Sequence, residues 1–206
     1  MASESTVFVV DDDVDVRESV CALLESAGLH GVPFGSARAF LDAYRSNATG
    51  CVIADIRMPD MDGLELQEEI VRRNIPLPVI VVTGHADVPL AVRAMKAGAL
   101  DLIEKPFDDE QLLATVRRAL AKAEWQREQA SAAQNVTTRV ASLSTRERQV
   151  LELLVAGKAN KVIAYELDIS PRTVEIHRAR VMDKMEAKSL SDLVRAALAA
   201  GIGAQT

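Results

Sequence analysis

Near its start the chain carries a short run of β-branched and aromatic residues, Thr6-Val7-Phe8-Val9-Val10, that stops abruptly at Asp11-Asp12-Asp13. An apolar run of this length closed by carboxylates predicts a buried strand with an acidic C-terminal end. The period then changes. Val16, Val20, Leu23, Leu24 and Ala27 recur at helical spacing over residues 14–27, and Gly28 is a natural stop. The alternation continues, with strands predicted near 31–34, 51–56, 79–83 and 101–104. Helices are predicted over 36–45, 63–73 and 88–97, and from Asp109 onward. Strands separated one by one by helices make a doubly wound parallel sheet covered on both faces. In such sheets ligands bind outside the carboxyl ends of the strands.

The last of these helices runs on through Lys122, Trp125, Gln126 and Arg127. It gives way to Gln129-Ala130-Ser131-Ala132-Ala133-Gln134-Asn135, a small and polar stretch that predicts a helical extension fading into a linker over 123–142. Beyond Leu143 the pattern is wholly helical. Ser144 stands three residues before Glu147 as a capping box, ahead of Val150, Leu151, Leu153 and Leu154, and Gly157 ends that helix. A second helix over 160–167 is followed by Asp168-Ile169-Ser170. A third then begins at Pro171, a residue suited to the first helical position, with Ser170 as its cap. Two short helices across so short a turn have helix-turn-helix spacing, with Ala164, Ile169 and Val174 as the contacts that set the crossing angle. A last helix spans 189–200. The expected division is therefore an α/β domain over 1–122, the extension and linker over 123–142, and an all-α four-helix domain over 143–206.

Charge sharpens this division. The net charge of -6 over 206 residues conceals a split. Residues 1–142 carry 14 Lys and Arg against 22 Asp and Glu, whereas residues 143–206 carry 10 against 8. An acidic module joined to one able to approach nucleic acid fits these numbers. No apolar run approaches the roughly 20 residues of a membrane span. Met1-Ala2-Ser3-Glu4-Ser5 carries no signal-peptide pattern, so a cytoplasmic protein is expected. Cys21 and Cys51 stand alone in apolar segments, which suits buried reduced thiols and excludes a zinc cluster.

The candidate chemistry gathers at predicted strand ends. Asp11 and Asp12 follow the first strand and Asp55 closes the third, so their carboxylates share one pocket and repel unless a cation relieves them. An oxygen-lined site that keeps several waters suits Mg²⁺. Thr83 and Lys105 end the fourth and fifth strands and add a hydroxyl and an ammonium. Carboxylate, metal, hydroxyl and lysine are the parts for phosphoryl transfer to an aspartate. An enzyme on the same sheet is the rival reading, but the chain has no Gly-rich phosphate loop and a helix-turn-helix would be idle in it. In the second domain the helix from Pro171 turns Val174, Val181 and Met185 inward. Its other side carries Arg172, Thr173, Glu175, Arg178, Arg180 and Lys184, with His177 near the boundary. Guanidinium groups on a groove-facing helix read guanine edges or hold phosphates.

Several strings resemble the receiver domains of two-component response regulators. They are Val9-Val10-Asp11-Asp12-Asp13, Ala54-Asp55-Ile56-Arg57-Met58-Pro59-Asp60-Met61-Asp62-Gly63, Val82-Thr83-Gly84-His85 and Lys105-Pro106-Phe107. The resemblance spans about residues 5–122 and implies a flavodoxin-like five-stranded sheet with Asp55 as phosphoacceptor. It further implies that Asp12, Asp55 and the main-chain carbonyl of Arg57 ligate Mg²⁺, with Asp11 helping directly or through water. Thr83 is then the switch hydroxyl and Lys105 the phosphate-contacting lysine, with a cis peptide before Pro106. Leu102 stands where the family usually has an aromatic residue, so an aromatic rotamer switch is excluded. The output surface then falls on the helix carrying Val92, Met95 and Lys96, as a dimer contact.

The string from Leu143-Ser144-Thr145-Arg146-Glu147-Arg148 through Asn160-Lys161-Val162-Ile163-Ala164 to Ser170-Pro171-Arg172-Thr173-Val174-Glu175-Ile176-His177 resembles the LuxR class of DNA-binding domains. The resemblance adds Lys161 to the DNA-contacting set. Together the two halves resemble the NarL/FixJ architecture. Gly84-His85-Ala86-Asp87-Val88-Pro89 and Asp168-Ile169-Ser170-Pro171-Arg172-Thr173-Val174-Glu175 are similar to the FixJ subgroup. The combination implies a transcription factor, not an enzyme. Its expected partners are a histidine kinase, double-stranded DNA and RNA polymerase, and it dimerises when phosphorylated.

Overall fold

The computed structural model describes residues 5–46 and 48–203, so the signal-peptide reading of Met1–Glu4 lies outside the described residues. Two compact units divide the chain, Met1–Arg127 and Glu128–Thr206. The first alternates β1 (Thr6–Val10), α1 (Val14–Ser26), β2 (His30–Phe34), α2 (Ala37–Ala43), β3 (Gly50–Asp55), α3 (Gly63–Arg72), β4 (Val79–Thr83), α4 (Val88–Lys96) and β5 (Asp101–Glu104). The five strands form one parallel sheet in the order β2-β1-β3-β4-β5. The α/β fold class expected from the sequence is the one observed. Its order reverses between β1 and β3, which makes their carboxyl ends the place for a ligand.

Side chains alternate across the pleat, and each strand therefore feeds two cores. Phe8, Val10, Val52, Ala54, Val79 and Val81 pack with Phe40, Leu66, Ile70 and Ala94 on the face covered by α2, α3 and α4. Val7, Val9, Cys51, Ile53, Ile80 and Val82 pack on the other with Val20 and Leu24 of α1. Leu112, Val116 and Ala119, from α5 (Asp109–Ala141), complete that second core. Burial on both faces explains why these strands read as continuous apolar runs. Cys51 is fully enclosed, and burial pushes its thiol up to about 12, the unreactive state expected of it.

The expected linker is the main correction. The stretch 129–135 is helical, and α5 continues without a break to Ala141. Ala, Gln and Glu are strong helix formers, and no Gly or Pro interrupts the segment. Val136 and Val140 pack into the core of the second unit, so this end of the helix belongs to that unit. The remaining helices are α6 (Thr145–Val155), α7 (Asn160–Glu166), α8 (Pro171–Lys184) and α9 (Leu190–Ala199). They close around Leu151, Ile163, Val174, Val181, Met185 and Leu193. Ser144 and Glu147 form the expected reciprocal capping box on α6.

Candidate functional site

At the carboxyl ends of β1, β3 and β5, three charged side chains meet. The Lys105 ammonium donates to Asp11 Oδ2 and to Asp55 Oδ1, each at 2.7 Å. Asp11 and Asp55 are 4% and 7% exposed, so two buried carboxylates share one cation. Burial of Lys105 works against its charge, but hydrogen bonds and attraction from both aspartates outweigh it and hold its pKa above the ordinary lysine value. The second oxygens are also engaged. Asp55 Oδ2 accepts from the Arg57 backbone N–H at 2.5 Å, and Asp11 Oδ1 from the Asp13 N–H at 2.9 Å.

Local sequence explains this geometry. Asp13 caps α1 by accepting from the Asp15 and Val16 N–H groups, which turns the chain sharply after β1 and leaves Asp12 exposed at the rim. Arg17, not singled out from the sequence, donates to the Asp11 carbonyl at 2.6 Å and braces the same turn. Gly63 begins α3 so close to β3 that an added Cβ would sit 2.3 Å from the Asp55 carbonyl oxygen. Only glycine allows that approach. The peptide bond between Lys105 and Pro106 is cis, as the resemblance implied.

Thr83, at the end of β4, is 1% exposed. Its hydroxyl donates to the His85 carbonyl and accepts from the His85 N–H, both at 3.3 Å. Across the sheet Thr83 is in register with Glu104. Glu104 Oε1 in turn accepts from the Ala86 N–H at 3.0 Å, a tether on the loop after Thr83 that the sequence did not reveal. Leu102, paired with Val81, is half-buried against the core face of α2, α3 and α4. On α4, Val88, Val92 and Met95 are 77%, 45% and 51% exposed at helical spacing, an apolar stripe beside exposed Lys96.

The acceptors gathered at the strand ends are carboxylate oxygens, those of Asp11 and Asp55, with exposed Asp12 next in the chain. That set fits Mg²⁺, a hard cation that keeps several waters. Among the described residues no three His, Cys, Asp or Glu side chains are already gathered into a metal cluster. In this arrangement Lys105 offsets only part of the carboxylate charge.

In the second unit, Ser170 caps α8 by accepting from the Thr173 N–H at 3.1 Å, and Pro171 occupies its first turn. Asp168 turns the chain between α7 and α8 at φ 53°, a left-handed conformation that Asp tolerates. Arg172, Glu175 and Arg180 are exposed on α8 and Lys161 on α7, while Thr173 is half-buried at the α8 N-terminus. Arg178 is half-buried, with Nη1 at 3.4 Å from Asn160 Oδ1. His177 is half-buried, with an enclosed Nδ1 that has no hydrogen-bond partner. Lys184 has a structural role that the sequence did not reveal. Its ammonium donates to Glu147 Oε2 at 2.7 Å and to the Ser142 carbonyl at 3.1 Å, so this exposed lysine also fastens α8 to the start of α6. The Lys184 hydrogen bond, helped by the Ser144 N–H and opposed by burial, lowers the Glu147 carboxyl to about 2.

Two family models match these two units. Residues 7–117 match the response regulator receiver domain, and residues 141–197 match the bacterial regulatory proteins of the luxR family. The chain belongs to the two-component response regulators that pair a receiver with a LuxR-type DNA-binding domain. Within that class its curated relatives are FixJ-like transcriptional regulators. It is 50% identical to the transcriptional regulatory protein FixJ of Bradyrhizobium diazoefficiens, over 98% of each chain. It is 49% identical to FixJ of Rhizobium meliloti over the same shares. Response regulator protein TodT of Pseudomonas putida strain F1 is 44% identical, over 93% of this chain and 84% of its own. Among solved structures, response regulator StyR aligns with a TM-score of 0.87 at 40% identity, covering 95% of this chain and 98% of its own. Full-length FixJ from B. japonicum aligns with a TM-score of 0.59 at 50% identity, covering 97% and 98%. Among the described residues no helix is long and apolar enough to cross a membrane.

Proposed function

We propose that this regulator is switched by phosphorylation of Asp55, with a histidine kinase as donor, and that the phosphorylated form dimerises and binds DNA to activate transcription in the cytoplasm. The observation that carries the reading is the Lys105 ammonium held between Asp11 and Asp55 at 2.7 Å from each. An Asp55 oxygen attacks the phosphorus of a phosphohistidine. The P–N bond breaks, its electron pair returns to the imidazole, and an acyl phosphate forms on Asp55. Lys105 exchanges its contact with the Asp55 carboxylate for one with a phosphoryl oxygen, without leaving Asp11. Asp12, Asp55 and the Arg57 carbonyl, with Asp11 helping directly or through water, would hold Mg²⁺, which when bound would supply further neutralisation of the phosphoryl oxygens.

Thr83 is the switch residue in this reading. To meet the phosphoryl group its hydroxyl leaves the His85 carbonyl, a contact long enough at 3.3 Å to yield easily. The loop after it then shifts, and α4 follows. The Val88, Val92 and Met95 stripe, with Lys96, is the proposed dimer surface. Leu102, lacking a ring to rotate, leaves the loop and α4 as the moving parts. In the second unit Arg172, Thr173, Glu175, His177, Arg178 and Arg180 of α8 and Lys161 of α7 are the proposed DNA contacts. RNA polymerase is the onward partner. Pairing two such domains raises the effective concentration of the second for its half-site.

The test is phosphotransfer from a cognate kinase to wild type and Asp55→Asn, followed by DNA binding. Label and phosphate-dependent binding in wild type, with neither in Asp55→Asn, are expected. Equal labelling of the two proteins sinks the assignment.

A further inference from the structure

Arg57, on the loop after β3, and Arg93, on the second turn of α4, line one cavity of about 260 Å³ together with Thr83, His85 and Asp87. Neither guanidinium has a hydrogen bond or ion pair among the described residues. Both charges are permanent at any pH the protein meets. The one carboxylate present, Asp87, is committed to capping α4, where its Oδ1 accepts from the Leu90 N–H at 2.7 Å. The cavity is therefore net positive. It also opens beside the first turn of α4, through Pro89 and Leu90, where the helix dipole favours negative charge.

The neighbouring strand-end pocket has the opposite character. There Asp11, Asp12 and Asp55 outnumber Lys105, and without metal that pocket repels an anion. A small oxyanion approaching this end of the sheet meets a repulsive pocket on one side and an attractive cavity on the other.

We infer that the cavity between Arg57 and Arg93 is a binding site for a small tetrahedral oxyanion of the phosphate class, distinct from the Asp55 pocket. Forked guanidinium donors suit such an oxyanion, and charge-assisted bonds of this kind are the stronger hydrogen bonds in proteins. The His85 ring adds a further donor at the same wall. An oxyanion held there bridges the loop that follows Asp55 to α4, the helix carrying Val88, Val92 and Met95. It thereby restrains α4 from a site that requires no covalent change at Asp55.

The experiment titrates inorganic phosphate into the full-length protein in EDTA, against chloride at matched ionic strength, and follows the amide NMR spectrum. Saturable shifts at Arg57 and from His85 to Arg93 are expected. Arg93→Gln and Arg57→Gln, both exposed and thus compatible with the fold, each weaken phosphate binding by at least about ten-fold. Asp55→Asn, which removes a repelling charge next to the cavity, binds phosphate at least as tightly as wild type. Equal affinity in the two Gln variants and wild type overturns the inference, as do shifts confined to the surroundings of Lys105 or a response that chloride reproduces. A chain that takes no label on Asp55 but binds phosphate at Arg93 contradicts the phosphorylation reading and leaves this one standing.

Discussion

The Lys184 ammonium lies 2.7 Å from Oε2 of Glu147, and Glu147 also accepts from the Ser144 N–H at 2.8 Å through the same oxygen. One buried carboxylate thus closes the capping box of α6 and anchors the last turn of α8, the helix that carries most of the proposed DNA contacts. The pair ties the C-terminal turn of α8 to the N-terminus of α6. Two of the three donors of the Lys184 ammonium are thereby committed within the unit.

Lys184→Gln therefore acts on stability and not on the electrostatics of DNA binding. Removing the cation leaves Glu147 enclosed with a weaker set of partners. The lysine is partly exposed, so solvent screening limits the loss to roughly 1–2 kcal/mol. Chemical denaturation measures it. The slope of log affinity against log salt concentration should match wild type, whereas loss of a phosphate contact would reduce it by about one.

Acid exposes the same pair through Glu147. Its carboxyl is lowered to about 2 from an ordinary value of 4.5, chiefly by Lys184. A group whose folded pKa is depressed contributes stability that is fully present above its unfolded value and lost as pH falls through its folded one. The second unit should thus lose stability progressively between about pH 4.5 and pH 2. Glu147→Gln should be less stable than wild type at pH 7 and should lack this part of the acid-dependent decline. Denaturation midpoints at pH 7, 4.5 and 3 decide it, and parallel pH profiles for the two proteins would refute the assignment.

The parts of this architecture legible in the sequence are those that a single element reveals. Val7, Val9, Ile53 and Val82 advertise buried strands by composition, and a parallel sheet carries Asp11, Asp55, Thr83 and Lys105 to one edge by topology alone. Side chains whose role depends on a partner from another element stayed hidden. The α8 pattern shows that Lys184 is off the apolar stripe, but only packing shows that Glu147 is there to meet it. Arg17 and Glu104 are likewise ordinary surface residues until the turn after β1 and the loop after β4 are in place. The stretch 129–135 is ambiguous in sequence because polar and small side chains suit linkers and solvent-facing helices equally. Its helical state rests on residues beyond it, Val136 and Val140.

Val140 tests that point. It is 9% exposed, within the core of Val150, Leu154 and Val181. Val140→Ala should cost the second unit about 1–2 kcal/mol. Hydrogen exchange resolves the two units separately in the intact chain, with faster exchange expected in α6 and α8 and little change in the receiver sheet. A silent substitution would restore the linker reading.

The hydrogen bond from Ala86 to Glu104 predicts a dynamic effect near the switch. Glu104 is exposed, and its carboxylate holds a loop whose start is tied otherwise by the two long hydrogen bonds between Thr83 and His85. Glu104→Ala removes the acceptor without disturbing β5, because the strand pairing through Thr83 is made by backbone groups. Losing one such bond is worth about 0.5–1.5 kcal/mol, so the Ala86 amide should exchange up to roughly ten-fold faster in the variant. The core amides of β4 should remain unchanged. A looser loop also gives Thr83 up more readily, and phosphotransfer to Asp55 should therefore proceed at least as fast as in wild type. An unaltered Ala86 exchange rate would show that the loop is held by its packing and not by Glu104.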